Sequence, residues 1–306
     1  MRFVPFWIEV DWSSEKVYSY PRRRDVSSIR MTHIVLITHR YDNFRNRKFL
    51  LGTLARHWID AGHHVSVTAG LDNWPEADVA VMHLDTSVTP AAYSEACKRY
   101  PVVVNGAVTD IRKTRVSRNL VKQNDGWTGP VIVKTDLNYS GIPEMLAAEK
   151  FRRDGKPADL PPGPIVSTTE PYPILQSARE VPDAVWNNEG LVVERFLPEQ
   201  DARGFWLRVW VFFGDRERCT RYCGPEPIVK SAEIISRESV PVPDELRAER
   251  ERLGFDYGKF DFVVRDGRAI LFDANRTPSA PPPSPEIDAS NAHLAGGLDA
   301  LSRKGR

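Results

Sequence analysis

The segment that decides the fold is KFDFVVRDGRAILFDANRTP, Lys259–Pro278, near the C-terminal end of the chain. Two apolar runs, Phe260–Val264 and Ala269–Phe272, flank the dipeptide Asp266-Gly267. An Asp-Gly pair between two segments rich in β-branched and aromatic residues is a strong hairpin signal. We therefore predict two antiparallel strands joined by a tight turn.

Three oxygen-bearing side chains lie on this hairpin. Asp261 falls in its first strand, and Asp273 and Asn275 close the second strand, two residues apart and hence on one face. Hard cations such as Mg²⁺ prefer oxygen ligands and usually keep water or substrate phosphates in their other positions. The pattern fits a metal-binding site on the hairpin, and it fits equally well a hairpin whose polar residues only terminate its strands.

Composition limits the classes of protein that the chain can represent. With 306 residues it can bury a large core and divide into two or three lobes. Its 42 basic and 41 acidic residues leave a net charge of +1, so no bulk field attracts nucleic acid or an anionic membrane. No apolar run is long enough to span a bilayer. The cysteines (Cys97, Cys219 and Cys223) are too few for a disulfide framework, which fits a cytoplasmic setting.

The first 30 residues form an extension of uncertain status in the sequence. Val4–Val10 and Lys16–Tyr20 are able to pair as a hairpin, and disorder is the alternative. A third interpretation takes Met31, directly before a clean strand, as the true start. The extension lacks the long apolar core of a secretory signal.

Residues 31–112 alternate short apolar strands with amphipathic helices, which predicts a parallel sheet covered by helices. No G-x-G-x-x-G and no G-x-x-x-x-G-K-[ST] pattern occurs, so the usual dinucleotide and P-loop sites lose their main support. The predicted strands are His33–Thr38, Val65–Ala69, Ala77–His83 and Pro101–Val104, and the predicted helices are Arg45–Ala61 and Pro90–Arg99.

A second group of elements follows, beginning with a basic helix predicted over Asp110–Leu120. The strand after it ends in Lys134, and a lysine at the end of a buried strand is costly without an anionic partner. The small, polar segment Leu137–Gly141 comes next and is able to fold around an anion with its backbone N–H groups. Together the lysine and the loop indicate a phosphate site.

The C-terminal part is richer in long strands. Phe205–Phe213 carries Arg208 in its middle, and Arg216–Tyr222 is expected to return antiparallel to it. An arginine inside such a strand needs an anion, either a ligand or a core carboxylate. The other predicted elements are a strand over Leu191–Leu197 and helices over Glu144–Arg153, Asp244–Leu253 and Glu286–Leu301.

Four of these segments, in this order along the chain, resemble the ATP-grasp superfamily. They are PVIVK (Pro130–Lys134) with its loop, LVVERFLPE (Leu191–Glu199), LRVWVFFGD (Leu207–Asp215) and the hairpin. The resemblance implies a mixed α/β and α+β chain, with an ATP-grasp fold preceded by a small parallel-sheet βαβ domain. The expected division is an extension (1–30), a pre-ATP-grasp domain (31–112), an N-terminal lobe (113–190) and a C-terminal lobe (191–306).

The resemblance also implies roles for individual residues. Mg²⁺, or Mn²⁺ in its place, would be held by Asp261, Asp273 and Asn275, although the second position is usually Glu in the family. The substrate's acyl phosphate would face Arg208 and Arg221. The nucleotide would be held at its phosphates by Lys113, Lys134, Asn138, Ser140 and Gly141, at adenine by Glu194, Arg195, Phe196 and Leu197, and at the ribose by Glu199 or Asp201.

The implied activity is ATP-driven ligation of a carboxylate, from a small molecule or a peptide, to an amine through an acyl phosphate. Such chemistry needs positioning and charge neutralisation more than covalent help from the protein. A small-molecule kinase and a nucleotide-binding module without turnover are the alternatives. The expected partners are ATP and the two substrates, without nucleic acid or membrane, and a homodimer is compatible with the sequence.

Overall fold

The computed structural model describes residues 31–42, 44, 48–160, 163–168 and 171–304. The extension 1–30, with its expected hairpin, lies outside the described residues. Within them the strands form three sheets, which the chain visits one after another. No helix in this part of the chain is both long and apolar enough to cross a membrane.

The first sheet is parallel, with the strand order β2-β1-β3-β4. One of its two inner strands is buried from residue 34 to residue 38 because helices pack on both sides: Ile34 and Leu36 share a core with α1, whereas Val35 and Ile37 share one with α2. The predicted parallel, helix-covered sheet is therefore confirmed. Its elements are β1 (His33–Thr38), α1 (Leu50–Asp60), β2 (His64–Ala69), β3 (Val79–His83), α2 (Ala91–Cys97) and β4 (Val102–Val104).

The second sheet is small and antiparallel, with the order β6-β5-β7. A short 3₁₀ turn, Asn138–Gly141, connects its central strand to the following helix. The last strand of this sheet ends at Arg195, so the change to the third sheet falls between Arg195 and Glu199. The elements are α3 (Lys113–Val116), β5 (Val131–Thr135), α4 (Ile142–Arg153), β6 (Ile174–Leu175), α5 (Asp183–Trp186) and β7 (Leu191–Arg195).

The third sheet is antiparallel, with the order β11-β10-β9-β12-β13 and β8 paired to β9. The hairpin predicted from Asp266-Gly267 is confirmed, since both turn residues have positive φ (51° and 75°), as a type I′ turn requires. The elements are β8 (Glu199–Asp201), β9 (Gly204–Phe213), β10 (Arg216–Gly224), β11 (Ser236–Ser239), α6 (Asp244–Leu253), β12 (Tyr257–Arg265), β13 (Arg268–Asn275), α7 (Pro285–Ala295) and α8 (Leu298–Lys304).

The two faces of the third sheet have different neighbours. The face that carries Trp210 and Phe260 is covered by α6, and we call it the helix face. The other face carries Val209, Asp261 and Asp273. These three residues are cross-strand neighbours, with Asp261 paired to Val209 on one side and to Asp273 on the other. We call this the cleft face, and its far end packs against the parallel sheet through Phe213. The shared core with the first sheet fixes where the hairpin lies.

Two predicted helices differ from the structure because parts of them are extended. The basic segment 110–120 is helical only over Lys113–Val116, since Asp110 forms a bridge with Val88 and Leu120 forms one with Glu194. The first long helix begins at Leu50, because Phe49 is extended and bridges to Ser279. Residues 45–47 of that prediction lie outside the described part.

The predicted C-terminal helix is divided into α7 and α8 at Gly296-Gly297. The reason is close packing against β9: a Cβ at Gly297 would lie 1.9 Å from the carbonyl oxygen of Phe213. The break lets α7 pack beside α1 while α8 turns toward the edge of the parallel sheet at β4.

Candidate nucleotide and metal site

A cavity of about 290 Å³ lies between the second sheet and the cleft face of the third sheet. Of the residues that the sequence proposed for the site, ten line it: Lys113, Lys134, Asn138, Ser140, Glu194, Arg195, Phe196, Leu197, Asp261 and Asp273. The sequence did not single out its apolar walls, which are formed mainly by Ile132, Trp206, Leu207, Ile228, Val263 and Phe272. The cavity therefore has an apolar part and a charged end.

At the charged end two carboxylates face each other across the hairpin. Asp261 and Asp273 are register partners in β12 and β13, and a bulge follows immediately after this pair. Each has a buried Oδ1 atom with no hydrogen-bond donor among the described residues. Burial raises the pKa of Asp261, and the charge of Asp273 raises it further, whereas Lys259 acts in the opposite direction. Two adjacent, half-buried carboxylates of this kind call for a cation.

Two lysines lie close to this pair. Lys259 donates from Nζ to Oδ2 of Asp261 at 2.8 Å, and Nζ of Lys113 lies 4.0 Å from Oδ1 of Asp273. Burial acts to lower the pKa of Lys259, but the charges of Asp261 and Asp273 outweigh it and the net shift is upward. The sequence interpretation missed Lys259, although its spacing of two from Asp261 in a strand puts both on one face. The site thus has its own cation beside the carboxylates.

The opposite wall holds an ion pair between two proposed nucleotide ligands. Nζ of Lys134 lies 2.5 Å from Oε2 of Glu194, whose side chain is almost completely buried. The two residues are on the neighbouring strands β5 and β7. The costly strand-end lysine therefore has its anionic partner inside the protein, and it lines the cavity as well.

The loop after β5 has an unusual backbone. Tyr139, Ser140 and Gly141 are consecutive residues with positive φ, at 45°, 55° and 69°. Such a conformation is costly for residues with a Cβ and persists only when neighbours enforce it. Here the hydroxyl of Tyr172 lies 2.9 Å from Oγ of Ser140, and a Cβ at Gly141 would meet the carbonyl oxygen of Val166 at 2.3 Å. The loop is held tightly, and Gly141 shapes it without lining the cavity.

The segment after β7 offers backbone groups to a flat ligand. Phe196 donates its N–H to the carbonyl of Pro130, whereas the N–H of Leu197 has no partner among the described residues. Asn119, which the sequence interpretation missed, binds both backbone groups of Arg195: its Nδ2 donates to the Arg195 carbonyl, and its own carbonyl accepts from the Arg195 N–H. Leu197 is thus the group of this segment best able to donate to a base.

The structure does not bring the proposed catalytic arginines to the carboxylates. Arg208 lies opposite Phe262, and residues next to each other in a strand point to opposite faces, so Arg208 is on the helix face, away from Asp261. It forms a two-pronged ion pair with Glu199, with distances of 2.8 and 2.7 Å. Of the two alternatives left open for Arg208, the core carboxylate is the one found. Glu199, proposed for the ribose, is occupied by this pair and by the N–H of Val264.

Two further proposed residues belong to a cluster on the same helix face. Arg221 donates from Nε to Glu238 at 2.7 Å, and its guanidinium lies 4.2 Å from the ring centre of Trp206. Asp201 is exposed, and its carboxylate accepts from both the backbone and the guanidinium of Arg203. Neither Arg221 nor Asp201 lines the cavity. Sequence spacing could not show this, because the face on which they lie depends on the pairing of distant strands.

Asn275 lies one register step beyond the carboxylate pair, opposite Lys259. Its Oδ1 accepts from the N–H of Thr277 at 2.7 Å and from the Thr277 hydroxyl at 3.1 Å, and Asn275 does not line the cavity. The next residue, Arg276, is 1% exposed and donates to the carbonyls of Leu84, Thr86 and Val108. The end of β13 is therefore tied to the parallel sheet, and a metal-binding role for Asn275 stays a prediction.

The donor set fits Mg²⁺ better than a metal held by protein alone. Among the described residues no three His, Cys, Asp or Glu side chains lie close enough together to hold an ion. Asp261 and Asp273 supply two carboxylates with available oxygens. Mg²⁺ in nucleotide enzymes is commonly held by one or two carboxylates, with phosphate and water oxygens completing the octahedron. Asp261 and Asp273 can therefore hold Mg²⁺ together with the phosphates of a nucleotide.

Comparison with known proteins gave structural similarities only. No family model matches the sequence, and no curated protein matches it. Among solved structures, D-alanine–D-alanine ligase from Bacillus anthracis complexed with ATP is 13% identical over 90% of this chain and 97% of that one, with a TM-score of 0.46. The ATP-grasp ligase PsnB complexed with minimal precursor, Mg and ADP is 13% identical over 89% and 97%, at 0.49. A RimK domain protein ATP-grasp from Sphaerobacter thermophilus DSM 20745 is 14% identical over 87% and 99%, at 0.45.

Two of these descriptions name ATP-grasp proteins, the superfamily that the sequence segments resemble. The proposed function therefore rests on this chain's own site residues.

Proposed function

We propose that this chain is an ATP- and Mg²⁺-dependent ligase, which activates a carboxylate as an acyl phosphate and joins it to an amine. The observation that carries the proposal is the facing pair Asp261 and Asp273 at the floor of the cavity. Each has an oxygen without a hydrogen-bond donor, and Lys134 and the Asn138–Gly141 turn lie on the other side. Carboxylates that lack donors, opposite a lysine and a tight polar turn, suit a metal bound between protein and phosphates.

The apolar and charged parts of the cavity suit the base and the triphosphate of ATP, respectively. The apolar walls, including Ile132 and Phe272, suit the base, and the N–H of Leu197 can donate to a base nitrogen. The triphosphate would then extend toward Lys134 and Lys113, both of which line the cavity. Asp261 and Asp273 would hold the metal, which would supply neutralisation of charge at the phosphates.

Lys259 is the protein cation nearest to the reacting end. It takes the part that the sequence interpretation assigned to Arg208 and Arg221, which are engaged on the other face of the sheet. A carboxylate oxygen of the substrate would attack the γ-phosphorus while the bond to ADP breaks, and Lys259 would stabilise the added negative charge. The amine would then attack the acyl carbon, lose a proton and release phosphate, leaving an amide.

The test is ADP release from ATP and Mg²⁺ across a panel of carboxylates, with hydroxylamine as the nucleophile. A ligase converts the acyl phosphate to a hydroxamate, which ferric ion detects as a coloured complex, and one ADP forms for each hydroxamate. An acceptor that becomes stably phosphorylated, without any hydroxamate, would indicate a kinase and overturn the proposal. Binding of ATP and Mg²⁺ without turnover on any carboxylate or amine would overturn it as well.

A further inference from the structure

Arg218, in the middle of β10, is a half-buried arginine with no carboxylate partner among the described residues. Its Nη1 donates to Oγ of Ser290 at 2.9 Å and to Oδ1 of Asn291 at 2.8 Å, both neutral groups on α7. Burial lowers the pKa of Arg218, and the nearest titratable groups that counter this are the phenols of Tyr222 and Tyr257. A guanidinium stays charged, so this charge lacks an anion.

Two other arginines of the same sheet show the contrast. Arg208 is paired with Glu199, and Arg221 is paired with Glu238. Both pairs lie on the helix face, whereas Arg218 lies opposite Val211, which packs against the parallel sheet. Arg218 is therefore on the cleft face, together with the carboxylate pair.

The pairing register gives its position relative to the metal ligands. Arg218 is opposite Val211, Val211 is opposite Lys259, and Lys259 is the neighbour of Asp261 on the cleft face. Arg218 and Lys259 are therefore in one row, two strands apart, or about 10 Å at the backbone. The next row of side chains on this face contains Thr220 on β10 and Asp261 on β12, which are both register partners of Val209.

The hydrogen bonds to α7 also determine which edge of the guanidinium stays available to a ligand. Both N–H groups of Nη1 are engaged, and no described residue accepts from Nε or Nη2. Nε and Nη2 form one edge of the planar group, whose spacing matches the two oxygens of a carboxylate. Ser290 and Asn291 hold this edge in a fixed orientation.

We propose that Arg218 binds a second carboxylate of the substrate, one that is not consumed, through its Nε and Nη2 edge. This inference rests on the proposed ligase function, and it makes the activated substrate a dicarboxylate, with one carboxylate at the Asp261 and Asp273 end and the other at Arg218. Arg218 would thus determine specificity without taking part in the phosphoryl transfer.

The test compares straight-chain dicarboxylates from succinate to suberate with their monoamides, as substrates for ADP release with hydroxylamine. The wild-type protein should prefer one dicarboxylate over its monoamide. Arg218→Gln should raise the KM for that dicarboxylate about 10- to 100-fold, as expected for loss of hydrogen bonds between charged groups. The KM for ATP and the kcat at saturation should change little.

Arg216→Gln is the matched control, because it makes the same change two residues away on the same strand, at an exposed position. Ser290→Ala is the control for structure: it removes one bond to α7 and leaves the guanidinium in place. If Arg218 only anchored α7, Arg218→Gln and Ser290→Ala would both lose stability, and neither would change the discrimination against the monoamide.

Two results overturn the inference while leaving the proposed function intact: turnover of monocarboxylates without any preference for a dicarboxylate, and an unchanged dicarboxylate KM in Arg218→Gln. If no turnover occurs, binding of the same dicarboxylates is measured by calorimetric titration in the presence of Mg²⁺ and a non-hydrolysable ATP analogue. Binding to the wild type that is lost in Arg218→Gln supports the site, and absence of binding to the wild type overturns it. Failure of ATP and Mg²⁺ themselves to bind would instead reject the proposed function.

Discussion

Nζ of Lys134 lies 2.5 Å from Oε2 of Glu194, and these side chains are only 14% and 1% exposed. The lysine that would hold the nucleotide phosphates is therefore already paired with a buried carboxylate that also lines the cavity. A bound triphosphate would share this lysine with Glu194. The pair consequently links the stability of the second sheet to occupation of the site.

Glu194→Gln tests this link. Removing the charge leaves the buried ammonium of Lys134 without its anion, so we expect the unliganded variant to lose about 3 kcal/mol of stability. ATP with Mg²⁺ supplies a replacement anion, so the stabilisation by nucleotide, measured as the shift in Tm, should be larger in the variant than in the wild type. Equal shifts in both proteins would show that Lys134 does not contact phosphate.

Lys259→Ala distinguishes the cation found in the structure from the one expected from the sequence. We expect a loss of about 100-fold or more in kcat, because a preorganised charge at the site of phosphoryl transfer is removed. Arg208→Ala should instead lower stability, by leaving the carboxylate of Glu199 unpaired, with a smaller change in kcat. Steady-state kinetics and urea unfolding of both variants give the comparison; the reverse ranking of kcat would restore Arg208 as the catalytic cation.

Asp273→Asn tests the metal pair with almost no change in shape. The variant keeps an amide oxygen but loses the charge that a hard cation requires, so we expect the Mg²⁺ concentration for half-maximal activity to rise at least about tenfold and kcat to fall. Stability should not decrease, since the repulsion with Asp261 is relieved. A Mg²⁺ titration of activity that matches the wild type would exclude the hairpin from the mechanism.

Gly141→Ala tests the tight turn after β5. The new Cβ would lie 2.3 Å from the carbonyl oxygen of Val166 at a φ of +69°, so we expect both a lower Tm and a higher KM for ATP. Gly155→Ala is the control for backbone strain alone, since Gly155 has a φ of +62° and nothing lies within 4 Å of its Cβ position. The control should cost about 1 kcal/mol and leave the KM unchanged.

Asp42→Asn tests a half-buried carboxyl group in the loop after β1. Burial and the charge of Asp85 raise the pKa of Asp42 to about 8, whereas the pKa of Asp in an unfolded chain is about 4. Between these values the native protein holds a proton that the unfolded chain has released. Asp42 therefore makes stability fall as the pH rises from 4 to 8, by at most about 1.4 kcal/mol per pH unit.

The asparagine variant lacks this titration and can still accept the N–H groups of His39 and Asp85, which now bind Oδ2. Relative to the wild type it should become progressively more stable from pH 5 to pH 8. Urea unfolding of the two proteins at unit pH intervals measures the difference. A difference that does not change with pH would place the pKa of Asp42 at its ordinary value.

Local signals predicted much of the fold. The Asp-Gly dipeptide and its flanking apolar runs specified the β12–β13 hairpin, because a type I′ turn needs residues that tolerate positive φ. The strands of the parallel sheet were found nearly to the residue, as buried apolar runs bounded by turn residues. Helix ends were less accurate where the chain formed bridges to distant segments, as at Phe49 and Leu120.

The sequence by itself pointed to three charged residues that the structure places around one cavity: Asp261 and Asp273 on the hairpin, and Lys134 before a tight polar turn. The two hairpin residues could be grouped because a tight turn brings its strands together, and Lys134 because a polar loop follows it directly. Only the tertiary structure decided the rest. The register of β9 against β12 places Arg208 on the helix face and leaves Lys259 and Arg218 on the cleft face. That register depends on packing between segments some 50 residues apart in the chain, which no local pattern encodes.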